Sequence, residues 1–487
     1  MTHKLKLIPL FILAAGIAVV GFAQGVPMQT VKDSAHGNRL IINGQPLFIS
    51  GMNIAWITGS SFSNDVGDRQ LNESGFRQHV QNIKSAGGNA VRWWLHTDAA
   101  NCPKINSSGR VTGIGSQTIN NIRRALDIAY ENGVVVALCL FSFDLLHEVR
   151  GSGSNPNSGN KSAEVGARNH LFLTESANLD SYIENALRPI LAGVGNHPAI
   201  MCWEVFNEPE GMVQGHGWSD IRIDYSHVRR FTGKIAAEVH RNPNSRLKMV
   251  STGIHNFSRT SYFNNYTDAM LREAAGGDEL AFLDFYMAHY YPEHNPNNMS
   301  PFHNPASFWQ LNKPMVIGEF PARSWGPGTG YSWGSAPSGG VYDIVAAYEY
   351  AYNNGYAGAM SWSMTEGNTA KFGNFATTRP ALENLYSKYR ADIEIKAQTL
   401  SVQNDKQVMP AISRTPIATV NDRILSVNPP TDADMNIRVV DVKGKTVARF
   451  KGAGDAQFSL AKIPAGRYIV ETTIAGKRVG SDPVVVR

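Results

Sequence analysis

Short apolar runs recur along the first 390 residues, separated by segments whose apolar positions repeat at helical spacing. That alternation predicts a parallel sheet wrapped by helices. Eight runs read as strands: 46–56, 90–96, 134–141, 200–206, 248–251, 285–290, 315–318 and 357–362. Between them 75–86, 117–130, 180–191, 226–240 and 342–352 have the period and length of helices. Eight strands in this order predict an α/β fold, a (β/α)₈ barrel, over residues 28–390. From 391 to 420 the periodicity fades into a polar stretch with Pro410 and Pro416, which reads as a linker. Beyond it 423–427, 436–442, 446–450, 457–460, 468–473 and 483–487 alternate or run β-branched, with turns at Lys443-Gly444 and Ala475-Gly476. These predict a small β-sandwich-like domain over 421–487.

The N-terminus carries a different signal. Lys4 and Lys6 precede an apolar run, 7–20, and Gly21-Phe22-Ala23 places small residues first and third before Gln24, so residues 1–23 read as a signal peptide cleaved near Ala23. The run is too short for a stable membrane span, and no other is long enough. Its two lysines, with the +4 balance of residues 418–487, exceed the formal +5 and leave the rest at about −1. A near-neutral main domain argues against nucleic acid and fits an uncharged polysaccharide. Three cysteines are too few for a disulfide framework: Cys139 and Cys202 lie in apolar strand runs as buried thiols, and Cys102 falls in a loop. No His/Cys spacing suits zinc, and no metal or cofactor is expected.

Two of the eight strands close on a carboxylate. Trp203-Glu204-Val205-Phe206-Asn207-Glu208-Pro209 ends the fourth and Met315-Val316-Ile317-Gly318-Glu319-Phe320 the seventh. A lone glutamate at a strand end is most often a solvated surface group. Here both follow apolar runs, at the barrel face that carries active sites. Pro209 is expected to hold Glu208 extended. Two such acids suit cleavage of a glycosidic bond, in which one protonates the leaving oxygen and the other attacks the anomeric carbon, about 5 to 5.5 Å apart when configuration is retained. Burial raises an acid's pKa and helps the proton donor keep its proton. In the second strand Arg92, Trp94 and His96 alternate, which turns all three to one face while Trp93 packs outward. Two long loops, 151–169 and 323–340 with Trp325 and Trp333, read as groove walls, where aromatic rings stack on sugar faces.

The residues resemble glycoside hydrolase family 5, in a clan of retaining (β/α)₈ hydrolases. The resemblance covers most of 40–390 and is closest to the endo-β-1,4-mannanases of the invertebrate type. It is carried by Gly51-Met52-Asn53-Ile54-Ala55-Trp56, Gly87-Gly88-Asn89-Ala90-Val91-Arg92-Trp93-Trp94-Leu95-His96, Asn185-Ala186-Leu187-Arg188-Pro189, and His197-Pro198-Ala199 leading into Trp203-Glu204 and Asn207-Glu208-Pro209-Glu210-Gly211. The resemblance implies Glu208 as acid/base and Glu319 as nucleophile, with Arg92 holding the nucleophile charged. It implies that Asn207 binds the sugar 2-hydroxyl, that Tyr291 donates to the nucleophile, that His289 steadies the acid/base or the sugar, and that Trp362 lies under the sugar. Trp94 and His96 join this substrate-binding set. The loop after Phe141 and the segment 323–340 depart from the family pattern. The segments Val439-Val440-Asp441-Val442-Lys443-Gly444-Lys445 and Pro464-Ala465-Gly466-Arg467-Tyr468-Ile469-Val470 resemble sorting domains of the type 9 secretion system, which implies secretion machinery as a partner.

The expectation is a secreted or cell-surface bacterial endo-β-1,4-mannanase acting on mannan and glucomannan by double displacement. An endo-β-1,4-glucanase or glucomannan enzyme with the same mechanism stays open, because mannose and glucose differ only in the direction of the 2-hydroxyl. A carbohydrate-binding surface protein that has lost catalysis is the alternative of another class.

Overall fold

In the computed structural model eight strands close into a parallel barrel: β1 Ile49–Ile54, β2 Ala90–Thr97, β3 Val135–Ser142, β4 Ile200–Asn207, β5 Met249–Ile254, β6 Tyr286–His289, β7 Met315–Glu319 and β8 Gly358–Ser361. Each pairs with its sequence neighbour, and β8 returns to β1. The structure describes residues 29–57, 65–147, 149–150, 161–292, 297–326, 329, 340–396, 418–427, 434–441, 445–474 and 477–486. The signal peptide, Trp333, the turns at 443–444 and 475–476 and most of the predicted linker lie outside them. No helix of the described residues is long and apolar enough to cross a membrane.

The helices follow from local signals. α1, Glu73–Ser85, is capped by Asn72, whose side chain accepts from the Gly75 N–H, and it buries Phe76, Val80 and Ile83 at helical spacing. α2 is Thr118–Glu131. The loop predicted over 151–169 is in part a helix, α3, Ala163–Thr174, started by Ser162 accepting from the Val165 N–H. Its Gly and Asn content concealed it, and residues 151–160 lie outside the described set. The helix predicted over 180–191 is longer, running from Ser176 to Val194 through a π-turn at Ile183–Leu187. α4, Tyr225–Arg241, and α5, Ile344–Asn353, match their periodicity, and the final helix, Phe375–Ile393, extends past the predicted barrel end at 390.

The barrel interior is layered. Its floor is apolar, with Ala137, Met201, Cys202, Met249, Met287, Val316 and Met360 packed on Leu40 and Ile42. Those two belong to an antiparallel sheet, Ser34–His36, Arg39–Ile42 and Gln45–Leu47, that plugs the barrel bottom. The first predicted strand, 46–56, is therefore two elements: Gln45–Leu47 in the plug and β1 in the barrel. The plug is tied by a fully buried ion pair, Lys248 Nζ to Asp33 Oδ2 at 3.0 Å, with Lys248 also donating to the Ile200 carbonyl at 3.0 Å. Above the floor come polar side chains, then a lid of aromatic rings.

The described residues between 418 and 486 belong to a second compact unit. It holds a three-stranded antiparallel sheet, Ala418–Asn421, Ile424–Val427 and Ala456–Ser459, and a four-stranded one, Asp434–Asp441, Thr446–Ala453, Gly466–Ile474 and Lys477–Val486. Leu425, Ile437, Val439, Val470 and Val486 meet in its core.

Removing one partner of a buried ion pair leaves an uncompensated charge. Lys248→Ala is expected to lower stability by about 3–5 kcal/mol. The double variant Asp33→Leu, Lys248→Met should recover most of that loss, as read by chemical denaturation.

Candidate active site

The polar layer centres on Arg92, whose side chain is wholly buried midway up β2. Its Nε donates to Glu204 Oε2 at 2.7 Å and its Nη2 to Glu204 Oε1 at 2.5 Å, a two-point grip on a carboxylate of β4. Nη1 donates to Asn53 Oδ1 at 2.8 Å and to Glu319 Oε1 at 2.6 Å, and Nη2 reaches Asn207 Oδ1 at 2.9 Å. Tyr291 donates its hydroxyl to Glu319 Oε2 at 3.0 Å. Because Arg92 occupies the Asn207 oxygen, the amide is oriented with Nδ2 outward, 3.3 Å from Ser142 Oγ.

Glu208 lies just past β4 and is not extended. Its φ is +45° and ψ +53°, in the left-handed region. The expectation drawn from Pro209 therefore fails, because the chain must turn at once from strand into the tight helical turn Pro209–Met212. A non-glycine residue held there is strained, and such strain is kept where surrounding contacts dictate it. Here the Glu208 N–H donates to the Gly253 carbonyl of β5 at 2.7 Å. The carboxyl is then met by two imidazoles: His289 Nδ1 is 2.8 Å from Oε1 and His255 Nδ1 is 3.5 Å from Oε2.

Oxygens of Glu208 and Glu319 approach within 4.8 Å, with a ring nitrogen of His289 inside the same distance of both. These three residues could hold a cation, but Arg92 already supplies positive charge there. Burial pushes the Glu319 carboxyl up to about 8, against the pull of Arg92 and with the added push of the Glu208 charge. Burial also raises Glu208, but His255 and His289 more than offset it. Two carboxyls this close titrate as a unit, so the retained proton belongs to the pair. Burial brings His289 down to about 4, and it stays neutral. The fixed charge of Arg92 draws the negative charge to Glu319, and when Glu208 holds the pair's proton His255 loses the charge that most favours its own protonation.

A cleft of about 830 Å³ opens over this pair. On the Glu319 side Trp94 and Trp362 have ring centroids 5.2 Å apart, and Trp56 lies within 5.9 Å of both; Tyr291 and Phe372 complete that wall. On the Glu208 side stand Phe143, Trp218 and His255, with Trp218 packed on His255 at 4.6 Å.

The structure thus brings Glu208, Glu319, Arg92, Trp94, Asn207, His289, Tyr291 and Trp362 into one site. It does not bring His96. The β2–β3 register slips between Trp94 and Thr97, and Thr97 has φ +52°, so the alternation breaks after Trp94. His96 turns into the outer layer, 5.0 Å from Phe141 and 5.8 Å from Tyr182, where burial pulls it down to about 3. Trp93 packs outward as expected, against Phe76. Trp325 is not a groove wall either: it is buried against Phe302, Phe320 and Tyr290. Sequence reading assigned no site role to Glu204 and Asn53, though both lie in the motifs that carry the resemblance, and it missed His255 and Trp218. Glu204 had a signal, since a carboxylate inside an apolar strand needs a buried cation, and Arg92 was the candidate.

No family model matches the chain. The mannan endo-1,4-beta-mannosidase of Mytilus edulis is 30% identical over 359 residues, covering 68% of this chain and 88% of that protein. That of Cryptopygus antarcticus is 29% identical over 361 residues, covering 68% and 84%. Among solved structures, the beta-mannanase of blue mussel matches with a TM-score of 0.61 at 27% identity, over 75% of this chain and 99% of that one. The endo-1,4-beta-mannanase of Eisenia fetida matches with a TM-score of 0.61 at 28% identity, over 75% and 100%.

Gly253 makes the cluster fit. A Cβ there would lie 2.5 Å from Glu204 Oε1 and 3.0 Å from Arg92 Nη2, and neither group can move without breaking the other's bonds. Gly253→Ala is expected to cost about 1–3 kcal/mol in chemical denaturation. Gly113→Ala, where nothing lies within 4 Å, should change stability by less than about 0.5 kcal/mol.

Proposed function

The chain belongs to the β-mannanase family within glycoside hydrolase family 5, and on that premise we propose that it cleaves internal linkages of β-1,4-mannan and glucomannan by double displacement. The observation that carries this reading is the approach of Glu208 and Glu319 within 4.8 Å. An inverting pair stands farther apart, about 6.5–9.5 Å, to admit a water.

In the first step a carboxylate oxygen of Glu319 bonds to the anomeric carbon as the glycosidic bond breaks, and the leaving oxygen takes the proton of Glu208. In the second, ionised Glu208 takes a proton from water, whose oxygen bonds to the anomeric carbon and releases Glu319. Arg92 and Tyr291 hold Glu319 charged and oriented. Asn207, turned by Arg92, presents its Nδ2 toward the 2-hydroxyl, where a hydrogen bond can strengthen in the transition state. Trp362 and Trp94 supply the apolar surface beneath the sugar.

Reducing-sugar release from unbranched mannan, glucomannan, carboxymethylcellulose and mixed-linkage β-glucan tests the reading. Activity is expected on the first two and not on the glucans. Activity confined to the glucans would change the sugar, and silence on all four would favour a binding protein. Glu208→Gln should lower kcat on mannan by about 10²- to 10⁴-fold. Glu319→Ala should abolish turnover while polysaccharide binding persists. The kcat/KM of the native chain should fall as pH rises past about 8, where the pair gives up its proton.

We also propose that residues 1–23 direct export and that 421–487 serve secretion or surface attachment. The support is the charged, apolar and small-residue order of the leader and the two C-terminal segments that resemble sorting domains. N-terminal sequencing of protein recovered outside the producing cell should begin at Gln24. Deletion of 421–487 should keep the enzyme inside, and unchanged export would remove that role.

A further inference from the structure

The turn that carries Glu208 and the end of β5 are fastened to each other twice. The Glu208 N–H donates to the Gly253 carbonyl at 2.7 Å, and two residues along, the His255 N–H donates to Glu210 Oε2 at 2.9 Å. Glu210 is fully buried, and its Oε1 accepts the hydroxyls of Tyr266 at 2.6 Å and Tyr225 at 2.7 Å. This lattice sets the His255 ring against Trp218, with Tyr262 at 6.1 Å, and aims Nδ1 at Glu208 Oε2 from 3.5 Å. That nitrogen has no hydrogen-bond partner among the described residues. Such an arrangement fixes an imidazole beside one oxygen of a carboxyl while leaving the ring nitrogen uncommitted.

We propose that His255 is a positioning residue of the acid/base: its imidazole, facing Oε2 of Glu208 on the leaving-group side, allows that carboxyl to release its proton and serve as the base of the second step. The inference rests on the assignment of Glu208 as acid/base.

The chemistry requires such a group. Glu208 is buried, and the Glu319 charge stands within 4.8 Å, so both influences hold the proton on Glu208. That suits donation but opposes the ionised state needed to activate water. Oε1 is already taken by His289, which burial keeps neutral. Oε2 is the oxygen left for the substrate, and His255 is the neighbour able to take up a positive charge when Glu208 is ionised. The titratable groups facing His255 are Glu208 and Glu210 of the turn, His289 of β6, and Tyr262. Burial disfavours a charged His255, yet Glu208 and Glu210 outweigh it and raise its pKa. Trp218 packs against the ring at 4.6 Å, on the Glu208 side of the cleft.

His255→Phe keeps an aromatic ring against Trp218 and removes the nitrogen; His255→Gln keeps polarity without a titrating group. In both, the alkaline limb of kcat/KM on mannan should move up by at least about half a pH unit, since Glu208 keeps its proton longer. On an aryl β-mannoside with a good leaving group, where release of the glycosyl-enzyme limits turnover, kcat should fall by about tenfold or more. An unmoved limb with a uniform loss of rate would reduce His255 to packing and overturn the proposal. Thermal melting identifies a variant that fails to fold, and the other variant then decides. Glu208→Gln on the same aryl mannoside tests the underlying assignment separately. A burst of released phenol followed by slow turnover supports Glu208 as acid/base. Unaltered steady turnover would remove that assignment whatever His255 does.

Discussion

A guanidinium buried in the middle of the barrel organises everything above it. Taking a cation out of water is costly unless it is paired and every donor is satisfied. Arg92 meets that condition in full: its five N–H groups find five acceptor contacts on Asn53, Glu204, Asn207 and Glu319. These residues come from β1, β4 and β7, so one side chain fixes three strand ends relative to one another. Glu204 neutralises the charge, which leaves one amino group to hold Glu319 and orient Asn207. The carboxylate that never meets substrate is thus as necessary as the one that does.

The layering of the barrel follows from that constraint. A cluster of charges survives only if water is kept below it and admitted above it in a controlled way. Methionines, Cys202 and Val316 fill the floor beneath, and the plug residues Leu40 and Ile42 close it. Above, Trp56 packs edge to face on Trp94 and Trp362, which are tilted against each other, forming a wall that is apolar toward a sugar ring and leaves the carboxyls accessible. Gly253 belongs to the same economy of space, because the β5 backbone passes so close to Glu204 and Arg92 that no side chain fits there.

The sequence made the barrel legible because each strand is buried on both faces and reads as a continuous apolar run. It made Glu208 and Glu319 legible because both interrupt such runs at the same end of the sheet. Parity in β2 located Arg92 and Trp94 and then failed at His96, where a register slip that no local pattern announces reverses the face. The left-handed turn at Glu208 was hidden for a similar reason: the local preference imposed by Pro209 is worth little against the hydrogen bond to Gly253 and the need to swing a carboxyl over the barrel mouth. His255 and Trp218 lie outside any apolar strand run, and their roles come from what folds against them. Period and propensity report an element's own residues; the neighbours that tune a carboxyl are supplied by other elements.

The two acids differ in the kind of partner they have been given. Glu319 must be a carboxylate whenever substrate arrives, and its partner is an arginine, whose charge does not vary with pH. Glu208 has to hold a proton in one half of the reaction and lose it in the other, and its partners are two histidines, His289 held neutral by burial and His255 able to change its charge. Exchanging these partners would defeat both steps: a fixed cation against Glu208 would strip the proton it must donate, and an imidazole in place of Arg92 would let the nucleophile be neutralised. The barrel separates the roles by distance along its rim. Arg92 reaches the β7 carboxyl from below, inside the dry layer, whereas His255 and His289 approach the β4 carboxyl from β5 and β6, at the level of the cleft. Proton transfer thus falls at the wet edge of the site and charge stabilisation at its dry centre, which is where each is strongest.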